Sequence, residues 1–264
     1  MFKYPHIDPN IISLGPFKIR WYGFMYILGL IIGFLIVRKE LMGPRLRFNY
    51  DQMVNLALYI MIGIIIGGRI GYILIYDSLF YIKSPFEIFA FWHGGMSYHG
   101  GAIGALIAIF LFSKRHQKNL LLLLDLAAIG STPGLFLGRI GNFINGELFG
   151  RVTNKPWGMI FPLGGDLPRH PSQLYEATFE GIVLFLILYF LWRPGRLKAG
   201  YLFVCYLILY GAFRFFLEFL REPDIQLGLF ANFISMGQIW CLLMMLLGVV
   251  TFIYLKFFLY TQKT

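Results

Sequence analysis

Residues 53–76 read MVNLALYIMIGIIIGGRIGYILIY, 24 consecutive residues with a single formal charge at Arg69. Crossing a hydrocarbon core of about 30 Å takes about 17–25 residues of helix. A helix is the open-chain element whose backbone groups are satisfied without water, so the segment reads as a membrane-spanning helix. Gly63, Gly67 and Gly71 recur at four-residue intervals and form a row of small residues against which another helix can approach closely.

Working outward, six further apolar runs satisfy the same criterion, giving expected spans near 21–37, 53–76, 96–112, 120–142, 177–192, 200–219 and 234–255. The composition agrees: 58% of the 264 residues are hydrophobic, 19% aromatic and 14% charged. Soluble domains run at about 45–50% apolar and about 25% charged. A disordered chain is excluded because this one cannot remain solvated. Two cysteines, both in apolar runs, exclude a disulfide framework and a cysteine-based zinc cluster. The expected fold is an all-α polytopic membrane protein of seven transmembrane helices, a single integral membrane domain over 1–264. Residues 1–20 hold no apolar signal-peptide core, so the first span is expected to be retained.

Basic residues set the expected orientation. One set of flanks carries 12 Lys and Arg, including Arg38, Lys39, Lys114, Arg115, Arg193, Arg196 and Lys263; the other carries 8, including Lys3, Lys18, Arg151, Arg169 and Arg221. This places the N-terminus outside and the C-terminus in the cytoplasm. The net charge of +10 fits basic loops beside anionic lipid and calls for no nucleic-acid partner. Residues 143–176 form a long loop with Pro156, Pro162, Pro168 and Pro171 and the aromatics Phe149, Trp157 and Phe161, which a plain connector would not need. They are expected to build a small external head between the fourth and fifth spans, with His170 exposed on it.

Five charged residues stand out within the spans: Arg69, Asp125, Arg139, Arg214 and Glu218. Burying each costs at least about 2.5 kcal/mol, so each needs a partner or a function. At 1.5 Å per residue, Arg69, Arg139 and Arg214 lie about 21–29 Å along outward-running spans, and Tyr26 and His99 about 5–8 Å below the outer surface. The five share the outer third of the membrane, and Asp125 lies apart. Tyr210, Arg214 and Glu218 are spaced i, i+4, i+8 on one helix face, with Glu218 suited to orient Arg214. The tetrapeptide Gly-Arg-Ile-Gly occurs at 68–71 and 138–141, setting each arginine between glycines where a bulky ligand could reach it. Converging arginines match phosphate oxygens and stay charged at any relevant pH. A shallow, outward site favours chemistry on a lipid headgroup, whereas a transporter would place its ionisable groups near the midplane.

Several blocks then carry a resemblance. GRIGNFINGELFGR (138–151), SYHGGA (97–102), RHPSQLYEA (169–177), YGAFRFFLEFLREPD (210–224) and RWYGFMY (20–26) resemble the bacterial phosphatidylglycerol–prolipoprotein diacylglyceryl transferases, across most of the chain. The resemblance implies transfer of the diacylglyceryl group of phosphatidylglycerol to the lipobox cysteine thiol of a preprolipoprotein, with glycerol phosphate leaving. It implies a multi-pass enzyme of the bacterial inner membrane, working towards the outer leaflet of the lipid bilayer and needing no metal or diffusible cofactor. The five histidines, His6, His93, His99, His116 and His170, show no zinc spacing.

On this reading Arg139 and Arg214 hold the phosphate and stabilise its growing charge. A thiol is largely protonated at neutral pH, so a base nearby helps; His99 is the first candidate and Glu147 the second, either as base or as a positioning group. Tyr26, Asn142, Asn145 and Gly150 match family positions tied to activity, the asparagines bonding glycerol or phosphate oxygens and Gly150 permitting a tight turn. Tyr210 and Glu218 orient Arg214, while Arg69 serves as a structural partner to a glutamate or to backbone carbonyls. Cys205 and Cys241 read as small apolar residues. Two rivals remain at the level of residues: a transporter whose arginines bind an anion without chemistry, and a structural subunit whose charges pair between helices.

Overall fold

The computed structural model describes residues 2–5, 7–14, 17–76, 78–90, 95–193, 195, 197–222, 229–230 and 234–260. His6, His93, Arg196, Pro223, Asp224 and Lys263 lie outside them. The chain is helical through all seven segments expected from the sequence: α1 (Trp21–Met42), α2 (Tyr50–Tyr76), α4 (Tyr98–His116), α5 (Leu120–Ile144), the run Ser172–Trp192, α8 (Tyr201–Leu217) and α9 (Met236–Tyr254). Five of these are long and apolar enough to cross a membrane: Trp21–Met42, Tyr50–Leu74, Leu120–Ile144, Ser172–Trp192 and Met236–Phe257. Of the other two, α8 has 17 residues, and the 19 residues of α4 end on Lys114, Arg115 and His116. The run Ser172–Trp192 comprises α6 (Ser172–Glu176), a π-helical stretch over Ala177–Val183 and α7 (Leu184–Trp192). It begins inside the loop range expected for the head.

Two compact units are present. The first holds Met1–Val37 with Asp125–Thr264, and the second holds Arg38–Leu124.

In the second unit the glycine row does what its spacing predicts. A Cβ on Gly67 would meet Gly104 Cα at 2.8 Å, and one on Gly71 would meet Gly100 Cα at 2.7 Å. Helices α2 and α4 thus touch backbone to backbone, and any side chain there would separate them. Arg69 is satisfied by its own unit. It donates to the carbonyls of Ile88 (2.9 Å), Gly95 (3.1 Å), Ala90 (3.2 Å) and Glu87, and its guanidinium stands over the Tyr81 ring. One buried cation thereby ties down the short helix α3 (Ser78–Lys83) and the 3-10 turn Pro85–Phe89. It acts as the partner of backbone carbonyls, and it lies in the second unit while Arg139 and Arg214 lie in the first.

In the first unit α1 packs on α5 through the same device, since a Cβ on Gly29 would meet Gly134 Cα at 2.6 Å and one on Gly33 would strike the Gly130 carbonyl. Pro133 sits inside α5 and supplies no N–H for the Ile129 carbonyl; the Thr132 hydroxyl donates to that oxygen instead, at 2.8 Å. Asp125 is 1% exposed and accepts from the backbone N–H groups of Gly200 (2.7 Å) and Phe203 (2.8 Å), so α5 caps the N-terminus of α8. Its membrane charge is accounted for structurally. Ile129, Leu184, Leu188, Leu202 and Tyr210 form the apolar core between these helices.

Residues 145–171 are tied by strand pairing to the N-terminus and to Arg221. β1 (Phe2–Lys3) pairs in parallel with β4 (Met159–Ile160), β2 (Asn10–Leu14) pairs antiparallel with β3 (Phe17–Arg20), and single bridges join Gly150 to Arg221 and Val152 to Arg169. Phe161 is fully buried among Tyr4, Phe143 and Phe149, and the Tyr4 hydroxyl serves the carbonyls of Phe143 and Ile144 at the end of α5. Phe149 and Phe161 stack on each other at 5.4 Å between ring centroids.

Candidate active site

The first unit gathers charges from three helices onto one point. Glu176 ends α6 and Glu180 lies one turn further on, at 1% and 0% exposure. Arg139 from α5 reaches Glu176 Oε2 through Nε at 2.9 Å and Glu180 Oε2 through Nη2 at 3.5 Å. Arg214 from α8 reaches Glu176 Oε1 at 3.0 Å and Glu180 Oε1 at 3.7 Å through Nη1, and Glu218 Oε2 at 2.7 Å through Nη2. Arg221 approaches Glu176 Oε2 at 3.6 Å. Two guanidinia therefore grip opposite oxygens of one buried carboxylate, and their positive charges stand side by side. The close approach has a local cause: a Cβ on Gly181 would strike Phe136 Cβ at 2.6 Å, so the glycine lets the π-helical stretch lie against α5.

Arg214 and Glu218 pair one helical turn apart, at i and i+4. The Ser235 hydroxyl donates to Glu218 Oε1 at 2.9 Å while accepting from the Gln238 N–H, so the capping box that opens α9 also anchors this carboxylate. Tyr210 stacks on Tyr206 and lies within electrostatic reach of both guanidinia.

A second cluster adjoins the end of α5. Glu147 Oε1 accepts from the side-chain amides of Asn142 and Asn145, each at 3.0 Å, and the Gln173 amide donates to the Glu147 carbonyl. The asparagines, expected to face the substrate, spend these N–H groups on Glu147 and hold its carboxylate in place. Tyr26 bonds Tyr22 through their hydroxyls at 3.3 Å, and Gly138 and Gly141 make room for these rings, the nearest atoms being Tyr26 Cζ at 3.1 Å and Tyr22 Cα at 3.2 Å. In the second Gly-Arg-Ile-Gly the space beside the arginine is taken by the protein's own tyrosines, and in the first, Gly71 is spent on helix packing.

Gly150 has no positive φ, so a tight turn is not its role. A Cβ there would meet the Leu220 carbonyl and, at 2.6 Å, His170 Cβ. It is a close-approach glycine that lets residue 150 bridge Arg221. His170 is half-buried rather than exposed; its Nδ1 lies 3.1 Å from the Tyr175 hydroxyl, and its carbonyl accepts from the Gly150 N–H. Burial, with help from Lys155, lowers its pKa. His99 is half-buried on the first turn of α4 in the second unit, edge-on to Tyr98.

Three members of the charge cluster are absent from the residues singled out in the sequence. Glu180 lies inside the expected span 177–192 and carries the same signal as Arg139, an ionisable residue in an apolar run. Glu176 and Arg221 stand beyond expected span ends, where the sequence gives no sign of their burial. Among the described residues no group of three or more His, Cys, Asp or Glu is placed to hold a metal ion.

A model of the prolipoprotein diacylglyceryl transferase family matches residues 9–254. The chain belongs to this family. Proteins named phosphatidylglycerol–prolipoprotein diacylglyceryl transferase are similar along nearly the whole length. The one from Geobacter sulfurreducens is 50% identical, covering 93% of this chain and 94% of the relative. That from Oleidesulfovibrio alaskensis is 48% identical, covering 95% and 94%, and that from Pseudoalteromonas translucida 47%, covering 99% and 97%. As a member of the transferase family, the chain has its Arg139–Glu176–Arg214 cluster in the unit that also carries Tyr26, Asn142, Glu147 and Gly150, all expected at the site from sequence.

Proposed function

We propose that Arg139 and Arg214 hold the phosphodiester of phosphatidylglycerol while a lipobox cysteine thiol of a preprolipoprotein attacks the adjoining glycerol carbon. The chain is a transferase that moves a diacylglyceryl group to prolipoproteins. In the step proposed, a sulfur–carbon bond forms and the carbon–oxygen bond to phosphate breaks. The bonding pair stays on that oxygen, glycerol phosphate leaves as a dianion, and the thiol proton is lost. The observation that carries the reading is the pair of guanidinia set against opposite oxygens of Glu176, at 2.9 and 3.0 Å. Fixed cationic donors aimed at developing phosphate charge are an electrostatic device often worth several kcal/mol.

In the same unit Glu147 with Asn142 and Asn145 positions the headgroup, Tyr26 and Tyr210 flank it, and Gly150 sets the head against Arg221; the sequence offers His99 as the base that takes the thiol proton. The seven helical segments cross the bacterial inner membrane with the N-terminus outside, and the site works towards the outer leaflet beside the head.

The test uses purified protein in detergent with phosphatidylglycerol and a peptide bearing a lipobox cysteine. Peptide mass gain with glycerol phosphate release is expected for the native chain, and loss of both in folded Arg139→Ala and Arg214→Ala. Unchanged turnover in either folded variant sinks the phosphate assignment, and a native chain that binds lipid without forming thioether favours transport.

A further inference from the structure

The charge cluster is balanced before any substrate arrives. Among the described residues of the first unit, Arg139, Arg214 and Arg221 face Glu176, Glu180 and Glu218. Glu147, held by asparagine amides, would only add negative charge to that sum. A lipid phosphodiester brings one further negative charge, and cleavage of its carbon–oxygen bond brings a second. Among carboxylates buried to 0–1% exposure an uncompensated charge is costly, and the least costly remedy is a proton on one of them.

The geometry selects which. Glu218 stands 2.7 Å from Arg214 and is bonded by Ser235, and Glu176 stands 2.9 and 3.0 Å from two guanidinia, both close ion pairs. Glu180 is the most buried, and its nearest cations stand at 3.5 and 3.7 Å, too far for strong hydrogen bonds. It is also one helical turn from the like charge of Glu176. The groups facing it are Glu176 on its own helix, Arg139 on α5, Arg214 on α8, Arg221 beyond it, and the Cys241 thiol on α9.

We infer that Glu180 takes up one proton from solvent when the lipid phosphate settles on Arg139 and Arg214, and gives it back when the phosphate product leaves. Glu180 is then a positioning residue that offsets the charge the lipid phosphodiester brings on binding. This rests on the phosphate site proposed above.

The experiment is titration calorimetry of the full chain in detergent with short-chain phosphatidylglycerol, in buffers of different ionisation enthalpy and across neutral and mildly alkaline pH. The native chain is expected to take up about one proton per lipid, its affinity falling up to about tenfold for each unit rise in pH. Glu180→Gln, a fixed mimic of the protonated acid, is expected to bind with no proton uptake, with a flat pH profile, and more tightly than the native chain at the alkaline end. Binding by the native chain without proton uptake overturns the inference, as does an unchanged pH slope in Glu180→Gln or a loss of affinity equal at every pH. Arg139→Ala and Arg214→Ala separate the two levels. If they bind lipid like the native chain, the phosphate site itself is wrong; if they lose binding while the native chain takes up no proton, only the role of Glu180 falls. Should Glu180→Gln not fold, the native proton count decides.

Discussion

Replacing Glu176 by glutamine keeps the side chain's volume, so no cavity opens and the effect is electrostatic. The carboxylate it removes is 1% exposed and anchors Arg139 at 2.9 Å, Arg214 at 3.0 Å and Arg221 at 3.6 Å. Three guanidinia would be left with Glu180, at 3.5 and 3.7 Å, and Glu218. Breaking a buried ion pair by removing one partner costs about 3–5 kcal/mol, because the remaining charge is stranded. At about 2–4 °C per kcal/mol for a chain of this size, the melting temperature falls by roughly 6–20 °C. Glu180→Gln removes a carboxylate without close contacts and relieves its burial, so its fall is smaller. Intrinsic tryptophan fluorescence during heating in detergent measures both. A Glu176→Gln melting point within a degree or two of native, or a Glu180→Gln loss as large as that of Glu176→Gln, refutes the view that Glu176 is the keystone of the cluster.

Other perturbations test other parts. Gly67→Leu forces α2 from α4, where a Cβ already meets Gly104 Cα at 2.8 Å, and is expected to cost more than the about 1–3 kcal/mol of ordinary overpacking, seen as loss of folded protein on gel filtration. Gly150→Ala pushes residue 150 off Leu220 and His170, with about 1–3 kcal/mol of stability lost and slower lipid transfer measured on the same samples. Arg69→Lys replaces a planar fork serving four carbonyls with one ammonium; limited proteolysis is expected to cut residues 78–90 faster than in the native chain. His170 is expected to titrate below the unperturbed pKa of about 6.5 by NMR. Its folded pKa is depressed, so its neutral form contributes stability above that value, and this is lost as pH falls through the folded pKa. A midpoint above 6.5 would contradict its burial.

Much of the helical frame was legible because it rests on one-dimensional signals. Runs of apolar residues mark the helices, and the spacing of Gly63, Gly67 and Gly71 marks the face that α4 covers. Arg139, Arg214 and Glu218 were visible as charges in apolar context. What they touch was not: the partner of Arg139 is Glu176, 37 residues on, and no local pattern distinguishes a buried glutamate at a helix start from a solvated one in a loop. The same limit hid Arg221, whose position beyond α8 suggests water although its side chain turns inward. Gly150 and His170 show it at closer range, since a glycine required by a neighbour's approach and one required by a turn look identical in sequence.

Asp125 has a consequence for how the chain is made. Its oxygens wait for the N–H groups of Gly200 and Phe203, the nearer 75 residues later in the chain. At synthesis rates of about 5–20 residues per second, α5 therefore exists for about 4–15 s with an acid that has no cap to bind. Arg139, whose partner follows after only 37 residues, waits about half as long. Until α8 arrives, Asp125 stays near water, within the insertion machinery, or neutral with a proton. The cap on α8 therefore closes only after residue 203 has been made, which sets the earliest moment at which α5 and α8 can seat on each other.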